Sequence, residues 1–475
     1  MVRIQHRKRI AAAAAAMIAF AAGGGAALLG CGDASGPDAG ERPANVILIV
    51  VDTLRRDHLG LYGYRRPTSP ALDAFAEGAV VFDHAYSPAP WTRPAVASML
   101  TGLYPSGHGA MALNNLLVPE IETLAEKFTR AGYATAGIVS HVILSKRFGF
   151  DQGFAYWNEE EARGHKYVST PGVTRRAIAA LDALAAEPSP FFLFVHYFDP
   201  HYEYRSHPEV GFEPRTGDSL RGDEDIETLR ARLGSLDEAD LAFLRARYDE
   251  EIRTTDAGIG RLLDHLEAAG IAGRTIVAVA ADHGEEFRER GWLGHTRTLY
   301  QELVAVPLLV RGRGGSPGHG QRVRRPVSTV SLTPTLLELA GVEPAGASFE
   351  EPSLAAFVQG GDPPPAHHVF AEVDFRGPLA KQARKQAVMG ARFKLIRDDR
   401  KGQIELYDLE SDPAERKNLA AGRQSPASDA LQRELYRFST RPRPQHAPDG
   451  SAEAEIDPEL RERLRGLGYV QDEAR

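Results

Sequence analysis

Residues 45–64 read NVILIVVDTLRRDHLGLYGY, and the first half of that stretch decides the fold. Residues 46–51 form an unbroken apolar run rich in β-branched side chains, with no polar alternation. Such a run suits a central strand covered on both faces. Similar runs recur at 134–139, 191–195, 275–280 and 306–310, and helical patterns fill 120–131, 174–186, 241–268 and 331–339. Strands alternating with helices predict an α/β fold with a large central, mostly parallel or mixed sheet flanked by helices over 45–345. After Gly341 the texture changes. Short segments at 369–373, 387–390, 393–396 and 405–409 alternate with turns, which predicts a small C-terminal antiparallel α+β subdomain over 346–425. The remainder, 426–475, reads as a polar tail: 421–455 is loop-rich and 458–467 a short terminal helix.

Polar residues collect where these strands end. Asp52 follows the first run, Ser140 and His141 the second, His196, Asp199 and His201 the third, and Asp282 with His283 the fourth. In open α/β sheets, ligands bind at the carboxyl ends of strands. Any one of these groups is as readily a turn or a helix cap. Four sets together point to a catalytic site with metal- or proton-competent groups.

Residues 1–30 stand apart. Arg3, Arg7, Lys8 and Arg9 precede an uncharged, Ala-rich stretch over 11–29, the pattern of an export signal. That stretch is also nearly long enough to span a bilayer. Leu28-Leu29-Gly30-Cys31 resembles a lipoprotein signal in which Cys31, the sole cysteine of the chain, carries the lipid. Residues 31–44 then form a polar, Gly/Pro-rich linker. The expectation is an exported, membrane-anchored lipoprotein of the cell envelope or periplasm, without disulfides or a catalytic thiol. Loss of 1–30 removes four basic groups and no acidic ones, so the net charge goes from −8 to −12. An acidic body argues against nucleic acid as a partner. Oligomeric state leaves no mark in the sequence.

The candidate residues divide by chemistry. Asp52, at the end of a hydrophobic strand, suits a divalent cation or a helix N-cap. Thr92 precedes Pro94 and a short helical run, so its hydroxyl is either a plain cap or a nucleophile among free N–H groups at a helix start. Asp282 and His283 form a ligand pair, with Gly284 permitting a tight turn. His201 and His295 suit general acids or holders of substrate oxygens. His108 and His141 read more readily as satisfied structural histidines, and Glu285 and Glu286 as turn groups or supports of the ligands, with one of the two as a further metal ligand the alternative.

Taken in order, residues 45–64, 92–102, Asp199-Pro200-His201, Asp282 to Phe287 (DHGEEF) and 406–419 (LYDLESDPAERKNL) resemble sulfatases of the alkaline phosphatase superfamily. The resemblance runs over residues 45–420. It implies a mixed-sheet α/β domain with a small C-terminal sheet, one divalent metal and a covalent intermediate. The implied substrate is a small anionic ester or a sulfated or phosphorylated glycan or lipid. Asp52, Thr92, Asp282 and His283 fall at the metal positions, and the nucleophile position is Thr92. His201 or His295 would protonate the leaving alcohol. Arg93 and His141, with Lys146 or Arg147, would hold the remaining oxygens, although Arg93 reads equally as a solvated surface group. An imidazole ligand moves the metal preference from Ca²⁺ towards Mn²⁺ or Zn²⁺. A second ion on Asp199, His201 and His295 stays open.

The chain departs from the family where it matters. Sulfatases place Cys or Ser, oxidised to formylglycine, where Thr92 stands, so no formylglycine is expected. Val96 replaces the family arginine, and Thr53 the second aspartate of the N-terminal pair. The Asp282-His283 pair matches the phosphonate monoester hydrolase branch. A formylglycine hydrate uses its second hydroxyl to expel sulfate. Threonine has one hydroxyl, so water must open its adduct at sulfur or phosphorus, a route suited to phosphoryl chemistry. The alternative is a non-catalytic sulfatase-like lipoprotein that binds an anionic glycan or lipid headgroup. A lipid phospho-transferase ranks last.

Overall fold

The structure is a computed structural model describing residues 43–164, 167–212, 219–220, 222, 224–314, 316–343, 346, 348–375, 382–420, 425–442 and 452–470. The stretch expected to be an export signal, and Cys31, lie outside the described residues. No helix among the described residues is long and apolar enough to cross a membrane.

The run that opened the sequence is β1 (Asn45–Val51), buried along its whole length. It is followed by β2 (Val80–Tyr86), β3 (Ala134–Ile138), β4 (Tyr156–Asn158), β5 (Phe191–Tyr197) and β6 (Thr275–Ala281). Two short strands, β7 (Glu286–Phe287) and β8 (Leu293–Gly294), make a separate hairpin. Then come β9 (Ala305–Val306), β10 (Leu308–Arg311) and β11 (Arg322–Ser328). The apolar run at 306–310 becomes two strands because Pro307 stands between them and has no N–H to give a ladder.

The main sheet is ordered β11-β2-β10-β6-β1-β5-β3-β4, with β9 against β2. β6, β1, β5 and β3 are mutually parallel neighbours, so their carboxyl ends lie along one edge. β10 runs antiparallel to both β6 and β2, which makes the sheet mixed. Three helices bear on the site: α1 (Thr92–Thr101), α2 (Thr170–Ala185) and α3 (Glu238–Ala268). α2 packs on β3 and β5, and α3 packs on α2.

The small sheet is antiparallel: β12 (Val369–Phe375), β13 (Ala383–Met389), β14 (Phe393–Asp398) and β15 (Gln403–Asp408), in that order. Side chains alternate across it. Ala387, Met389, Ile396 and Tyr407 join the main core, while Val388, Leu395 and Leu406 face the other way into a second cluster. That second face is covered by a helix where the sequence reading expected polar loop. α4 (Pro426–Thr440) starts at Ser425, whose side chain accepts from Ser428 N, and buries Leu431, Leu435 and Phe438 against the sheet. The 3- and 4-residue spacing of those three apolar residues was a legible helix signal, diluted by the polar residues around them. Residues 426–440 are therefore a packed helix rather than part of a polar tail. After it, α5 (Pro458–Gly466) falls where the terminal helix was expected, and it buries Leu460 and Leu464 in the main core.

Lys394 and Glu415 tie the small sheet to the main body. Their 2.8 Å ion pair is fully buried, and Glu415 also accepts from Gln301 N at 2.7 Å. The 406–419 motif thus ends in a structural clamp.

Candidate active site

The site forms where the parallel strands end. Asp52 leaves β1 and Asp282 leaves β6, adjacent strands in register up to Val51 and Ala281. One ligand atom each from Asp52, Asp282 and His283 lie within 4.8 Å of one another, and all three residues are buried. Thr92 Oγ1 lies 3.4 and 3.5 Å from the Asp52 carboxylate oxygens and 3.3 Å from His283 Nε2. Thr92 is the first residue of α1 rather than its cap. The cap position is Trp91, without a side-chain bond to the helix, so the Thr92 hydroxyl is free to face the carboxylates.

Backbone geometry holds this convergence. Thr53 has φ +54, a left-handed conformation uncommon outside glycine. Its N–H donates to Asp282 Oδ1 at 3.1 Å. Tyr248, from α3, donates to the Thr53 carbonyl at 2.6 Å and accepts from Arg55 N at 2.8 Å. One phenol therefore pins the turn that aims Asp52. Thr296, next to His295, is also left-handed at φ +87, and its N–H is held by the Pro90 carbonyl at 3.0 Å.

The electrostatics ask for a cation. Burial, with Asp282 and Glu285 nearby, pushes the Asp52 carboxyl well above the usual range. Burial also raises Asp282, against the pull of the His283 and Thr53 N–H groups. Asp282 Oδ2 has no hydrogen-bond partner. His283 Nδ1 donates to the Gly284 carbonyl at 2.8 Å, since a carbonyl can only accept, and Nε2 is left as a lone pair towards Asp52 and Thr92. Two buried carboxylates, an orphaned carboxylate oxygen and an imidazole in the metal-binding tautomer fit a divalent ion. Two anionic ligands with one imidazole are compatible with Ca²⁺, Mn²⁺ or Zn²⁺ alike.

Histidines line the remaining walls. His295 Nδ1 and Glu285 Oε1 share a hydrogen bond of 2.9 Å, and burial pushes Glu285 up to about 8. His201 stacks on Phe198 and meets the His295 ring edge-on, with centroids 4.9 Å apart. His141 Nδ1 accepts from Ile143 N at 3.3 Å, so Nε2 carries its proton, 3.8 Å from Asp52 Oδ2. His196, given no role by the sequence reading, sits 3.7 Å from the same oxygen with neither ring nitrogen hydrogen-bonded.

Other candidates take different places. Arg93 is fully buried over the Phe148 ring at 3.7 Å. Its Nε and Nη1 are spent on the carbonyls of Ile143, Ala112, Leu113 and Asn115, which leaves Nη2 without a bond. Lys146 and Arg147 are exposed, and Arg147 pairs with Asp457 at 2.7 Å. Asp199 does not join a second ion. It accepts from the N–H and hydroxyl groups of Ser169 and Thr170, which secures the start of α2. His108 is structural, bonded to Pro94 O and Ala110 N. Glu286 lies in β7 rather than in a turn, and its side chain accepts from the Arg290 and Trp292 backbone N–H groups of the connection to β8.

Two tyrosines were missed. Tyr202 stacks on His295 at 4.9 Å, and Tyr469, beyond α5, reaches His295 Nε2 with its hydroxyl at 3.4 Å. The signal for Tyr469 was faint: Gly468 after a helical stretch marks a chain that doubles back. It does not say where the chain lands.

A hydroxyl, two carboxylates and an imidazole gathered on one edge of a mixed α/β sheet define a hydrolase of the alkaline phosphatase-like class. The chain belongs to the sulfatase family, whose sequence profile matches residues 44–342. A second profile, described as N-sulphoglucosamine sulphohydrolase, C-terminal, matches 288–441 and so takes in α4. An ulvan-active sulfatase of Formosa agariphila is 28% identical over 420 residues, covering 82% of this chain and 79% of that one. Human N-sulphoglucosamine sulphohydrolase is 29% identical over 321 residues, covering 62% and 61%. Among solved structures, the phosphonate monoester hydrolase of Silicibacter pomeroyi superposes with a TM-score of 0.69 at 22% identity, covering 85% and 96%. A 2-O GAG sulfatase gives 0.68 at 20%, covering 84% and 91%. The fold and family expectations hold.

Proposed function

We propose that this protein hydrolyses an anionic ester of a glycan or lipid, a sulfate or a phosphate or phosphonate, with Thr92 as the nucleophile. The observation that carries the reading is the Thr92 hydroxyl, buried and aimed at Asp52 and His283. Asp52, Thr92, Asp282 and His283 would hold the divalent ion, which when bound supplies charge to acidify the hydroxyl and polarise the ester. Thr92 passes its proton to the Asp52 carboxylate, 3.4 Å away, and its Oγ attacks sulfur or phosphorus as the bond to the ester C–O oxygen breaks. His295, steadied by Glu285, or His201 gives that oxygen a proton. Water then gives a proton to that same histidine and attacks the same sulfur or phosphorus, and Thr92 leaves as its proton returns from Asp52. His141 Nε2–H faces the site and suits a substrate oxygen. Of the Arg93 guanidinium, Nη2 is the nitrogen without a hydrogen bond and suits the same role. The single hydroxyl of threonine favours phosphorus chemistry, while relatives named for ulvan and glucosamine sulfates favour a sulfated glycan. The basic n-region and Leu28-Leu29-Gly30-Cys31 support export and a lipid anchor at Cys31.

The test is one assay series on an aryl sulfate, a phosphate diester and a phosphonate monoester, with Ca²⁺, Mn²⁺ and Zn²⁺ varied. Thr92→Ala should lose at least ~1000-fold in kcat on the substrate turned over, with Tm unchanged. Activity that survives Thr92→Ala removes the nucleophile. Absence of activity on all three, with metal bound, supports the binding-protein reading instead.

A further inference from the structure

We propose that Tyr469, brought from the far end of the chain, is a substrate-contacting residue whose phenol O–H donates to an anionic oxygen of the ester. The inference rests on the hydrolase reading above.

The placement is built. α5 ends in a left-handed glycine: Gly468 has φ +60. Leu467 N bonds Arg463 O, Gly468 N bonds Arg465 O and Tyr469 N bonds Leu464 O, so the chain folds back beneath its own helix. A Cβ at 468 would lie 2.9 Å from Ile226 and 3.0 Å from Arg230, so the turn is packed as well as left-handed. Tyr202, which stacks on His295, donates from its hydroxyl to the Leu467 carbonyl at 2.7 Å. Upstream, Leu116 N bonds Ala452 O, Ala454 N bonds Asn114 O, and Arg147 pairs with Asp457. The segment is fastened along its described length.

The result is a phenol, 1% exposed, between Trp91, His141 and His295, with ring centroids 6.1 to 6.2 Å away. Its hydroxyl lies 3.4 Å from His295 Nε2, and an ordinary phenol keeps its proton at neutral pH. Tyr469 is therefore a neutral O–H donor beside the nucleophile. An ester bound at Thr92 brings anionic oxygens that need donors in a water-poor site. Val96 occupies the position where the resemblance called for an arginine, and Arg93 has Nε and Nη1 committed to backbone carbonyls. A phenol fills that need without adding a charge.

The experiment compares wild type with Tyr469→Phe in the full chain, on the substrate turned over in the assay series. Inorganic phosphate and sulfate serve as competing anions, and Tm is recorded. A drop of about 10- to 100-fold in kcat/KM, weaker inhibition by the anions and an unchanged Tm support the contact. Equal kinetics and equal inhibition overturn it and leave the hydrolase reading standing. If wild type turns over none of the esters, the hydrolase reading fails. Calorimetric phosphate binding then decides, and equal binding by both proteins overturns the contact. If Tyr469→Phe lowers Tm by several degrees, Tyr469→His, which keeps a ring N–H donor, must recover part of the activity; no recovery overturns it.

Discussion

The clearest handle on this site is the charge it buries. Asp52 and Asp282 are fully buried on adjacent strand ends, and Asp282 Oδ2 has no hydrogen-bond partner. A divalent ion that binds only the folded state stabilises it by RT ln(1 + [L]/Kd), about 2.7 kcal/mol at a hundredfold excess over Kd. Unfolding entropy is about 2.1 cal/mol/K per residue near 60 °C, so a folded body of roughly 400 residues has ~0.8 kcal/mol/K. The expected rise in Tm is then about 3 °C. Asp282→Asn is the matched perturbation. Its side-chain oxygen still accepts from the Thr53 and His283 N–H groups, so the fold keeps its bonds while the ligand charge is lost. The assay is a thermal melt of chelator-treated protein with Ca²⁺, Mn²⁺ and Zn²⁺ titrated in separately. Wild type should gain the increment with one of them, and Asp282→Asn should lose most of it. An equal increment in the variant, or none in wild type with any of the three, refutes the reasoning, because the ion would then bind elsewhere or not at all.

Two further outcomes follow from buried groups outside the site. Lys394→Met leaves the buried Glu415 with Arg290 at 3.8 Å in place of the 2.8 Å ion pair, so it should destabilise by up to about 3 kcal/mol, and Lys394→Met with Glu415→Met should recover most of that; a melt showing equal Tm for single and double variants refutes it. His108 is held neutral: its Nε2–H donates to Pro94 O, its Nδ1 accepts from Ala110 N, and burial pulls its pKa from 6.5 to about 3. The folded state resists a proton that the unfolded chain takes up below pH 6.5, so this group's contribution is whole above 6.5 and is lost as pH falls towards 3, at up to about 1.4 kcal/mol per pH unit. In urea melts, the advantage of wild type over His108→Gln should shrink from pH 7 to pH 4; a constant difference refutes it.

The sequence by itself determined the sheet and the edge on which the site would lie. The apolar run of β1 needs cover on both faces, and the alternation of strands with helices makes its neighbours parallel. Asp52, Asp282 and His283 were legible because they follow directly on a strand, and His141 because it lies just beyond one, where chain direction alone fixes the edge. Thr92 was legible from its distance to Gly102 within a motif, though its local setting read equally well as a cap. Only the tertiary structure decided what each side chain faces. Asp199 follows β5 as His201 does, yet it turns back to hold α2. Arg93 neighbours Thr92, yet one helical step rotates it into the 112–115 loop. Tyr469 is separated from Thr92 by almost the whole chain, and no local pattern encodes that meeting. Periodicity and strand order act over a few residues and survive in the sequence, whereas rotamer choice and long-range docking are settled by the packing of the finished core.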